Sequence, residues 1–471
     1  MSGQPSHSPQ AAVEQALAAA RSDDCIVIAD ETSSANVRWA GNTLTTNGVS
    51  RSRQLTVIAI RRSGDTAKVG VVSRAGVRDE QIPAIVAEAD QAAAEGTPAE
   101  DAQPLATQKD AAAIDSAASW DGPAAQTEIG VFSRFAADLG DAFSAAASGG
   151  RRLYGFAEHE MTSSFVGTST GLRLRHDQPA GRVELNAKSA DLVRSAWAGI
   201  ATRDFADVDV AGLAAGLGER LAWAKRTVEL PAGRYETLLP PTAVSDLMIS
   251  LYWSADAKDA LDGRTVFSRP GGGTRVGEEL TSQPVTLLSD PAAARLECSP
   301  FVIAHASSRA SSVFDNGQAL GRTGWITAGR LTALRQTRHT AALSGLPYTP
   351  PIGNLIMEFE GSDTSLPDMI SNTGRGLLLT CLWYIREVDP QTLLLTGLTR
   401  DGVYLVENGE VTGAVNNFRF NESPVAVLGR ISEAGQTEQT LPREWNDYFT
   451  RTAMPPLRVD DFNMSSVSQA S

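Results

Sequence analysis

The chain has 471 residues, 42% of them hydrophobic, and a formal net charge of −14 from 41 Lys and Arg against 55 Asp and Glu. A chain of this length is too long to fold around one hydrophobic core, so we expect two or three folding units. The excess of acidic residues and the lack of a basic stripe argue against a nucleic-acid partner. The N-terminus lacks a basic stretch followed by an apolar one, and no apolar run is long enough to span a membrane. We therefore expect no membrane association and a cytoplasmic location.

The first half of the chain alternates between helical and strand-like segments. Helical patterns occupy residues 11–21, 80–94, 130–147 and 210–227. Strand-like runs occupy residues 25–30, 37–44, 54–61 and 68–73, and a hairpin pattern follows at 154–175. Gly41-Asn42 and Gly64-Asp65 supply turns between the strands. This order predicts an α+β fold with largely antiparallel strands.

Composition divides the chain into an N-terminal α+β domain (1–95), a linker or loose excursion (96–126) and a middle α+β segment (127–230). The excursion is rich in Ala, Pro, Asp and Gln and poor in large apolar residues, and the middle segment is expected to pack with the N-terminal domain. A Pro-Ala-Gly sequence then marks the start of a C-terminal domain (231–460), where a helix is followed by many short strands. Residues 461–471 are interpreted as a tail.

The His159-Glu160 pair raises the question of a zinc-protease motif. Such a motif places two histidines at i and i+4 on one helix, and Ser163 occupies the second position here. The surrounding segment is rich in Thr, Ser and Phe, and residues 172–175 alternate strictly between apolar and charged. This pattern predicts a β-hairpin, so we do not interpret His159 as a zinc ligand.

Three cysteines, Cys25, Cys298 and Cys381, lie far apart and outside any CxxC motif, which predicts reduced and mostly buried thiols. Cys381 belongs to an apolar run that predicts a buried strand. A nucleophilic Cys381 would need a nearby base, for which His305 and His339 are the downstream histidines. The core interpretation fits better, and an independent enzyme that uses Cys381 or His305 is left as an alternative.

Four segments in a characteristic order resemble the TldD/PmbA family of cytoplasmic peptidase subunits. The segments are RWAGNTLTTNGVSRSRQLTVIAI, PAGRYETLLPP, VFDNGQALGRTGWITAGRLTAL and DGVYLVENGEVTGAV. The last of them contains the Glu-Asn-Gly turn that recurs in the C-terminal domain of the family. The resemblance extends over nearly the whole chain, apart from the first residues and the 96–126 excursion.

The family has two kinds of member, which differ in their metal ligands. TldD-type chains carry an HExxxH motif on the helix after the P-G-x-Y strand and a cysteine near the C-terminus, whereas TldE/PmbA-type chains lack this site and pair with a metal-bearing chain. Here the corresponding helix has no histidine and the final stretch no cysteine, and neither Asp246 nor Asp256 can replace those ligands. The resemblance therefore implies the metal-free branch, with no cofactor and no catalytic residue in this chain.

By this resemblance, the expected function is that of the metal-free subunit of a heterodimeric zinc metallopeptidase that acts on small unfolded peptides. The expected partners are a TldD-like subunit that holds the zinc and an unfolded peptide whose binding cleft this chain completes. Proteolysis would then occur only in the complex. The alternative is a non-enzymatic binding or scaffold protein that has no peptidase partner.

Arg386, with Trp383 and Tyr384, is the candidate substrate-binding group. These residues directly follow an apolar strand, and a guanidinium group can make bidentate contacts with a peptide carboxylate. The alternative is a solvated strand end at which Arg386 and Glu387 form a surface ion pair.

Overall fold

The N-terminal half forms one six-stranded antiparallel sheet with the order β3-β2-β1-β4-β5-β6. The computed structural model describes residues 8–114 and 118–468. The strands are β1 (Asp24–Trp39), β2 (Leu44–Ser63), β3 (Thr66–Ala75), β4 (Arg151–Thr168), β5 (Arg173–Ser189) and β6 (Ser195–Thr202). The predicted antiparallel α+β fold is confirmed, and segments on both sides of residues 96–126 contribute to the same sheet.

β1 and β2 are longer than the sequence pattern predicts. β1 joins the run predicted at 25–30 to the first part of the run predicted at 37–44 in one strand of 16 residues, which ends at Trp39. The polar stretch between those runs interrupts the apolar pattern, but pairing with β2 and β4 satisfies its backbone groups on both sides. Gly41 and Asn42 form the turn after β1 with φ angles of 61° and 66°, a region that glycine and asparagine tolerate well.

Four helices cover one face of the N-terminal sheet. They are α1 (Pro9–Ala19), α2 (Ile82–Glu95), α3 (Ser133–Ser148) and α4 (Val210–Trp223). Odd-numbered residues of β1 face them: Val27 packs in the core with α1 and α2, and Val37 in the core with α3 and α4. Even-numbered residues point the other way, where Ile26 packs with Phe301 and Phe314 of the C-terminal half. The second face of the sheet therefore lies against the C-terminal domain.

Residues 96–126 contact the N-terminal sheet at several points. Leu105 and Ala106 are buried, and Trp120 packs against Phe165 with ring centroids 5.6 Å apart. Arg175 of β5 donates hydrogen bonds to the carbonyl oxygens of residues 119 and 123, at 2.9 and 2.7 Å. These contacts join residues that are distant in sequence. The composition of the segment carries no information about them, and by itself it predicts only a linker or loose excursion.

The C-terminal half contains two sheets on either side of α5 (Pro241–Ser254), in which residues 243–252 are all buried. The smaller sheet has the order β11-β10-β9-β12-β21-β20 and consists of β9 (Val285–Ser289), β10 (Thr323–Thr327), β11 (Arg330–Leu331), β12 (Leu355–Phe359), β20 (Glu438–Thr440) and β21 (Thr452–Met454). This half is rich in strands, as predicted.

The larger sheet has ten strands in the order β14-β15-β18-β22-β8-β13-β16-β17-β7, with β19 paired to β22. They are β7 (Thr227–Val228), β8 (Gly233–Leu239), β13 (Arg375–Leu379), β14 (Trp383–Asp389), β15 (Leu394–Leu398), β16 (Val403–Glu407), β17 (Glu410–Val415), β18 (Phe418–Glu422), β19 (Ile431–Ala434) and β22 (Leu457–Val467). Short helices α6 (Ala257–Leu261), α7 (Arg338–Ser344), α8 (Leu366–Ser371) and α9 (Pro424–Leu428) connect the strands.

The C-terminal segment corrects one prediction. Residues 461–467, interpreted as part of a tail, belong to β22, which lies inside the larger sheet between β18 and β8. Four of these seven residues are polar, and the pairing partners that hold the segment are more than 30 residues away. The predicted tail residues 469–471 lie outside the described residues. Within the described part of the chain, no helix is both long and apolar enough to cross a membrane.

Candidate functional site

A cleft of about 700 Å³ lies between the N-terminal sheet and the C-terminal domain. One wall comes from β1, β4 and β5, and the other from the start of β14 and the segment 443–447. Its lining residues are Asn36, Arg38, Phe156, Glu158, Arg182, Glu184, Asn186, Trp383, Tyr384, Arg386, Arg443, Glu444, Asn446 and Asp447. The four arginines are matched by four acidic residues, so the cleft offers both charges to a ligand.

The N-terminal wall follows from the strand period of two. Even-numbered residues of β1, β4 and β5 share this face, and the antiparallel register aligns them in rows across the sheet. The rows are Asn36–Glu158–Arg182 and Arg38–Phe156–Glu184. Arg38 forms no ion pair with a described residue, and its guanidinium lies 5.6 Å from the ring centroid of Phe156. Arg38 thus offers a free cation to a ligand in the cleft.

All three predicted residues line the cleft. Trp383 begins β14, the edge strand of the larger sheet, and Tyr384 follows with φ 50°. The Arg386 side chain is 65% exposed, and its Nη1 lies 3.1 Å from Glu444 Oε1. The Glu444 carboxylate also accepts hydrogen bonds from the backbone N–H groups of Tyr384 at 2.9 Å and Ile385 at 3.2 Å. Arg386 is thus paired with Glu444, and not with the neighbouring Glu387. Substrate binding by the three residues stays a prediction.

Arg443 is a cleft residue that the sequence analysis missed. Its guanidinium lies 3.7 Å from the ring centroid of Trp383 and 4.8 Å from that of Trp197 in β6. Arg443 Nη1 also lies 3.2 Å from Glu184 Oε2, and Trp197 Nε1 donates a hydrogen bond to that same oxygen at 2.9 Å. The group therefore links the two walls of the cleft. No local motif around Arg443 indicates this role, because its partners lie in distant segments.

A second link between the walls involves Arg182. Its guanidinium donates to Asn446 Oδ1 at 2.8 Å and forms ion pairs with Glu158 at 3.2 Å and Asp447 at 2.5 Å. Asn446 in turn donates to the buried Glu184 at 2.9 Å. Because several charged groups share these contacts, the network holds the segment 443–447 against the sheet more firmly than an isolated surface pair would.

Asp246 of α5 holds the same segment from the other side. It is fully buried, and its carboxylate accepts hydrogen bonds from the backbone N–H groups of Arg443 at 3.1 Å, Glu444 at 2.9 Å and Trp445 at 3.4 Å. Burial raises the pKa of the Asp246 carboxyl group, while these three donors act in the opposite direction. The central helix thereby fixes the backbone that carries Arg443 and Glu444 into the cleft.

The residues of α5 do not fit a zinc site. By the resemblance, zinc ligands would lie on the helix after β8, which is α5. There the Asp246 carboxylate is used by backbone donors, Ser250 bonds to the Asp246 carbonyl oxygen at 3.0 Å, and Ser245 bonds to Thr452 at 3.0 Å. Over residues 8–114 and 118–468, no three His, Cys, Asp or Glu side chains are grouped so that they could hold a metal ion. That the chain carries no cofactor stays a prediction.

His159 lies in β4, in the hairpin that the sequence pattern predicts, and is buried on the face opposite Glu160. Its Nδ1 lies 2.7 Å from Thr127 Oγ1, and its Nε2 lies 2.7 Å from the carbonyl oxygen of Arg203. A carbonyl oxygen only accepts, so Nε2 carries the proton and Nδ1 accepts from Thr127 in the neutral ring. Both nitrogens are thus used in structural hydrogen bonds.

This environment predicts acid sensitivity. Burial lowers the pKa of His159 in the folded protein, so the unfolded chain, with a histidine pKa of about 6.5, takes up the proton first. The free energy of unfolding should therefore fall as the pH drops from about 7 through 6.5. His159→Gln should flatten this slope in urea titrations between about pH 5 and 8. Burial also lowers the pKa of His176, so this residue should contribute to the same pH dependence of the free energy of unfolding. The His176→Gln variant should therefore show a reduced slope as well. An unchanged slope in His159→Gln would contradict the assignment.

The described structure supports a core position for the cysteines. Cys25, Cys298 and Cys381 are all buried, and none forms a disulfide. His305, one of the histidines considered as a base for Cys381, has its Nε2 2.7 Å from the Asp30 carboxylate of β1. His305 is therefore held to the N-terminal sheet by the side chain of Asp30 in β1.

Comparison with known proteins adds to this geometry. Residues 232–466 match the family model of the PmbA/TldA metallopeptidase C-terminal domain. TldE from Thermococcus kodakarensis is similar in structure, with a TM-score of 0.76 at 15% identity over 96% of this chain and 98% of that one. A protein of Bacteroides thetaiotaomicron described as a candidate modulator of DNA gyrase has a TM-score of 0.75 at 14% identity, with 98% of both chains covered. No curated protein matches the sequence of this chain.

A third structure, a Thermotoga maritima protein with the same description, has a TM-score of 0.69 at 15% identity over 93% of this chain and 95% of that one. At such identities the structures show a shared fold. Together with the C-terminal match, they define a metallopeptidase-related protein with an N-terminal α+β half and a strand-rich C-terminal domain. The chain belongs to the TldD/PmbA family.

Proposed function

We propose that this chain is the metal-free, TldE/PmbA-like subunit of a heterodimeric, cytoplasmic zinc metallopeptidase that acts on small unfolded peptides. The observation that supports this proposal is the set of contacts that α5 makes with the cleft wall. In metal-bearing members the corresponding helix carries HExxxH, whereas here its buried acid, Asp246, binds three backbone N–H groups of the cleft wall. The helix thus shapes a cleft and lacks the imidazoles that a zinc site of this kind needs.

The chemistry of the cleft suits a peptide main chain with little demand on sequence. Guanidinium groups such as Arg38 and Arg386 can bind carbonyl oxygens or a terminal carboxylate. Asn36 and Asn186 can bind both N–H and C=O groups of a peptide. In this proposal the cleft fixes an extended peptide, and the zinc of the TldD-like partner supplies the Lewis acid that activates water for hydrolysis.

Strand addition at the edge of the larger sheet is a less suitable binding mode at the start of β14. The N–H groups of Tyr384 and Ile385 already donate to Glu444. A peptide that paired there would have to displace a carboxylate that also binds Arg386. The proposal therefore assigns peptide recognition mainly to the side chains of the cleft.

The experiment is reconstitution with a partner that carries the HExxxH helix. The purified chain is incubated with zinc, desalted and assayed for bound metal, and peptide cleavage is measured for this chain alone, the partner alone and the mixture. We expect no stoichiometric zinc in this chain, no cleavage by it alone and the highest turnover in the mixture. One tightly held zinc per chain, or cleavage by this chain alone, would overturn the proposal. Failure to associate with the partner would favour the binding or scaffold alternative.

A further inference from the structure

A second cavity of about 210 Å³ lies farther along the same face of the N-terminal sheet, next to Gln178 of β5. It is separate from the cleft, with which it shares no lining residue. Most of its wall is apolar. The apolar lining residues are Phe301, Val302, Ile303, Ala304, Ala310, Leu320, Pro350 and Pro351.

One cation, Arg451, lines this apolar cavity. Its Nε donates to the carbonyl oxygen of Gly353 at 3.0 Å, and it forms no ion pair with a described residue. Gly353, Cys298 and Arg451 all line the cavity. The Arg451 guanidinium lies close to Gly353, since a Cβ atom added to this glycine would be 3.4 Å from Arg451 Nη2 and 3.7 Å from Cys298 Sγ. Burial lowers the pKa of Arg451, while the adjacent Cys298 group acts in the opposite direction. A shielded cation without a counter-ion costs free energy, which a bound anion would offset.

The other charged group in the wall is already neutralised. Asp315 is buried, and its carboxylate accepts hydrogen bonds from Nε of Arg338 at 2.7 Å and from the backbone N–H of Arg338 at 3.1 Å. Gln178 is also engaged, because its Nε2 donates to the carbonyl oxygen of Glu297 at 3.2 Å and its Oε1 lies 3.1 Å from His176 Nε2. The cavity therefore combines apolar walls with the positive charge of Arg451.

We propose that this cavity binds a small carboxylate with an apolar group, the carboxylate at Arg451 and the apolar group against Phe301 and Val302. Its volume of about 210 Å³ is below the roughly 300–1,000 Å³ of sites for drug-sized ligands, which limits the ligand to a small molecule or one terminal residue. A free carboxylic acid and the C-terminal residue of a peptide share this chemistry. The inference does not depend on the proposed peptidase role, because the cavity is separate from the cleft.

The test is isothermal titration calorimetry of the full chain with three probes. N-acetyl-L-leucine represents a peptide C-terminus, 4-methylpentanoate represents a free acid, and N-acetyl-L-leucinamide has the same apolar group without the carboxylate. We expect both carboxylates to bind at least about tenfold more tightly than the amide, because a charge-assisted contact is lost in the amide. Tighter binding of N-acetyl-L-leucine identifies the peptide source, and tighter binding of 4-methylpentanoate identifies the free acid. Equal affinities of acid and amide, or no binding of either acid, would overturn the proposal.

Two variants locate the binding to this cavity. Arg451→Met keeps much of the side-chain length without the charge and should weaken carboxylate binding at least about tenfold. Arg269→Ala is the matched control, since Arg269 is 51% exposed, already pairs with Glu278 and does not line the cavity. It should leave the affinity unchanged.

Gly353→Ala is a second test that retains the arginine. Its methyl group would lie 3.4 Å from both Arg451 Nη2 and Cys298 Cβ, a distance that the folded structure can accept. By narrowing the space at the guanidinium it should weaken binding at least about threefold. If Arg451→Met does not fold, this variant decides, and an unchanged affinity in either folded variant contradicts the assignment.

Discussion

Asp246→Ala should lower the free energy of unfolding by about 3 kcal/mol or more, because it leaves up to three N–H groups without an acceptor at a fully buried site. An unsatisfied buried polar group costs about 1–3 kcal/mol, and removal of the carboxylate also leaves a void. Urea unfolding followed by circular dichroism measures the change. Asp246→Asn, which keeps one acceptor oxygen, should fall between the wild type and Asp246→Ala.

The matched control is Asp138→Ala. Asp138 lies on α3, where its side chain is 42% exposed and pairs with Arg134 at 3.7 Å. An exposed helical pair of this kind contributes about 0.3–0.5 kcal/mol, so this variant should unfold close to the wild type. Equal stabilities of Asp246→Ala and Asp138→Ala would show that the Asp246 carboxylate does not hold the segment 443–445. That result would also remove the structural reason for the position of Arg443 and Glu444 in the cleft.

Arg386→Ala should lower the catalytic efficiency of the reconstituted pair by roughly ten- to a hundredfold, while the zinc content of the partner stays unchanged. The loss of a charge-assisted contact costs about 1.5–3 kcal/mol, which corresponds to this range. The Arg386 side chain is 65% exposed, so donors remain for a substrate although one nitrogen faces Glu444. Peptide turnover is measured after confirming that the variant folds and still co-purifies with the metal-bearing subunit.

Arg375→Ala is the control for Arg386. Arg375 begins β13 on the same sheet, its side chain is 68% exposed, and its Nε lies 3.7 Å from Glu407. It does not line the cleft, so its removal should leave turnover unchanged. If Arg386→Ala retains turnover within about twofold of the unmodified pair, Arg386 has no role in substrate binding. The contribution of this chain would then be architectural.

The candidate site was predictable only where its residues are adjacent along the chain. Trp383, Tyr384 and Arg386 directly follow an apolar run, for which the sequence pattern predicts a strand end, whereas in the structure they begin the next strand, β14. Arg443 and Asp246 carry no such signal: 197 residues separate Asp246 from its hydrogen-bond donor at position 443. Arg38 has no local sequence signal either, since only the register of β1 with β4 shows that it faces the cleft.

Local patterns in the sequence determined the antiparallel α+β character, the turn at Gly41-Asn42, the strand around His159 and the family, because side-chain period and turn chemistry act over a few residues. The tertiary structure alone decided that residues 461–467 form a central strand and that α5 anchors the wall of the cleft. It also decided that Arg451 faces an apolar cavity without a counter-ion among the described residues. These features depend on pairing and burial between segments distant in the chain, and the free energy of a polar group is settled only by the partners that the fold brings to it.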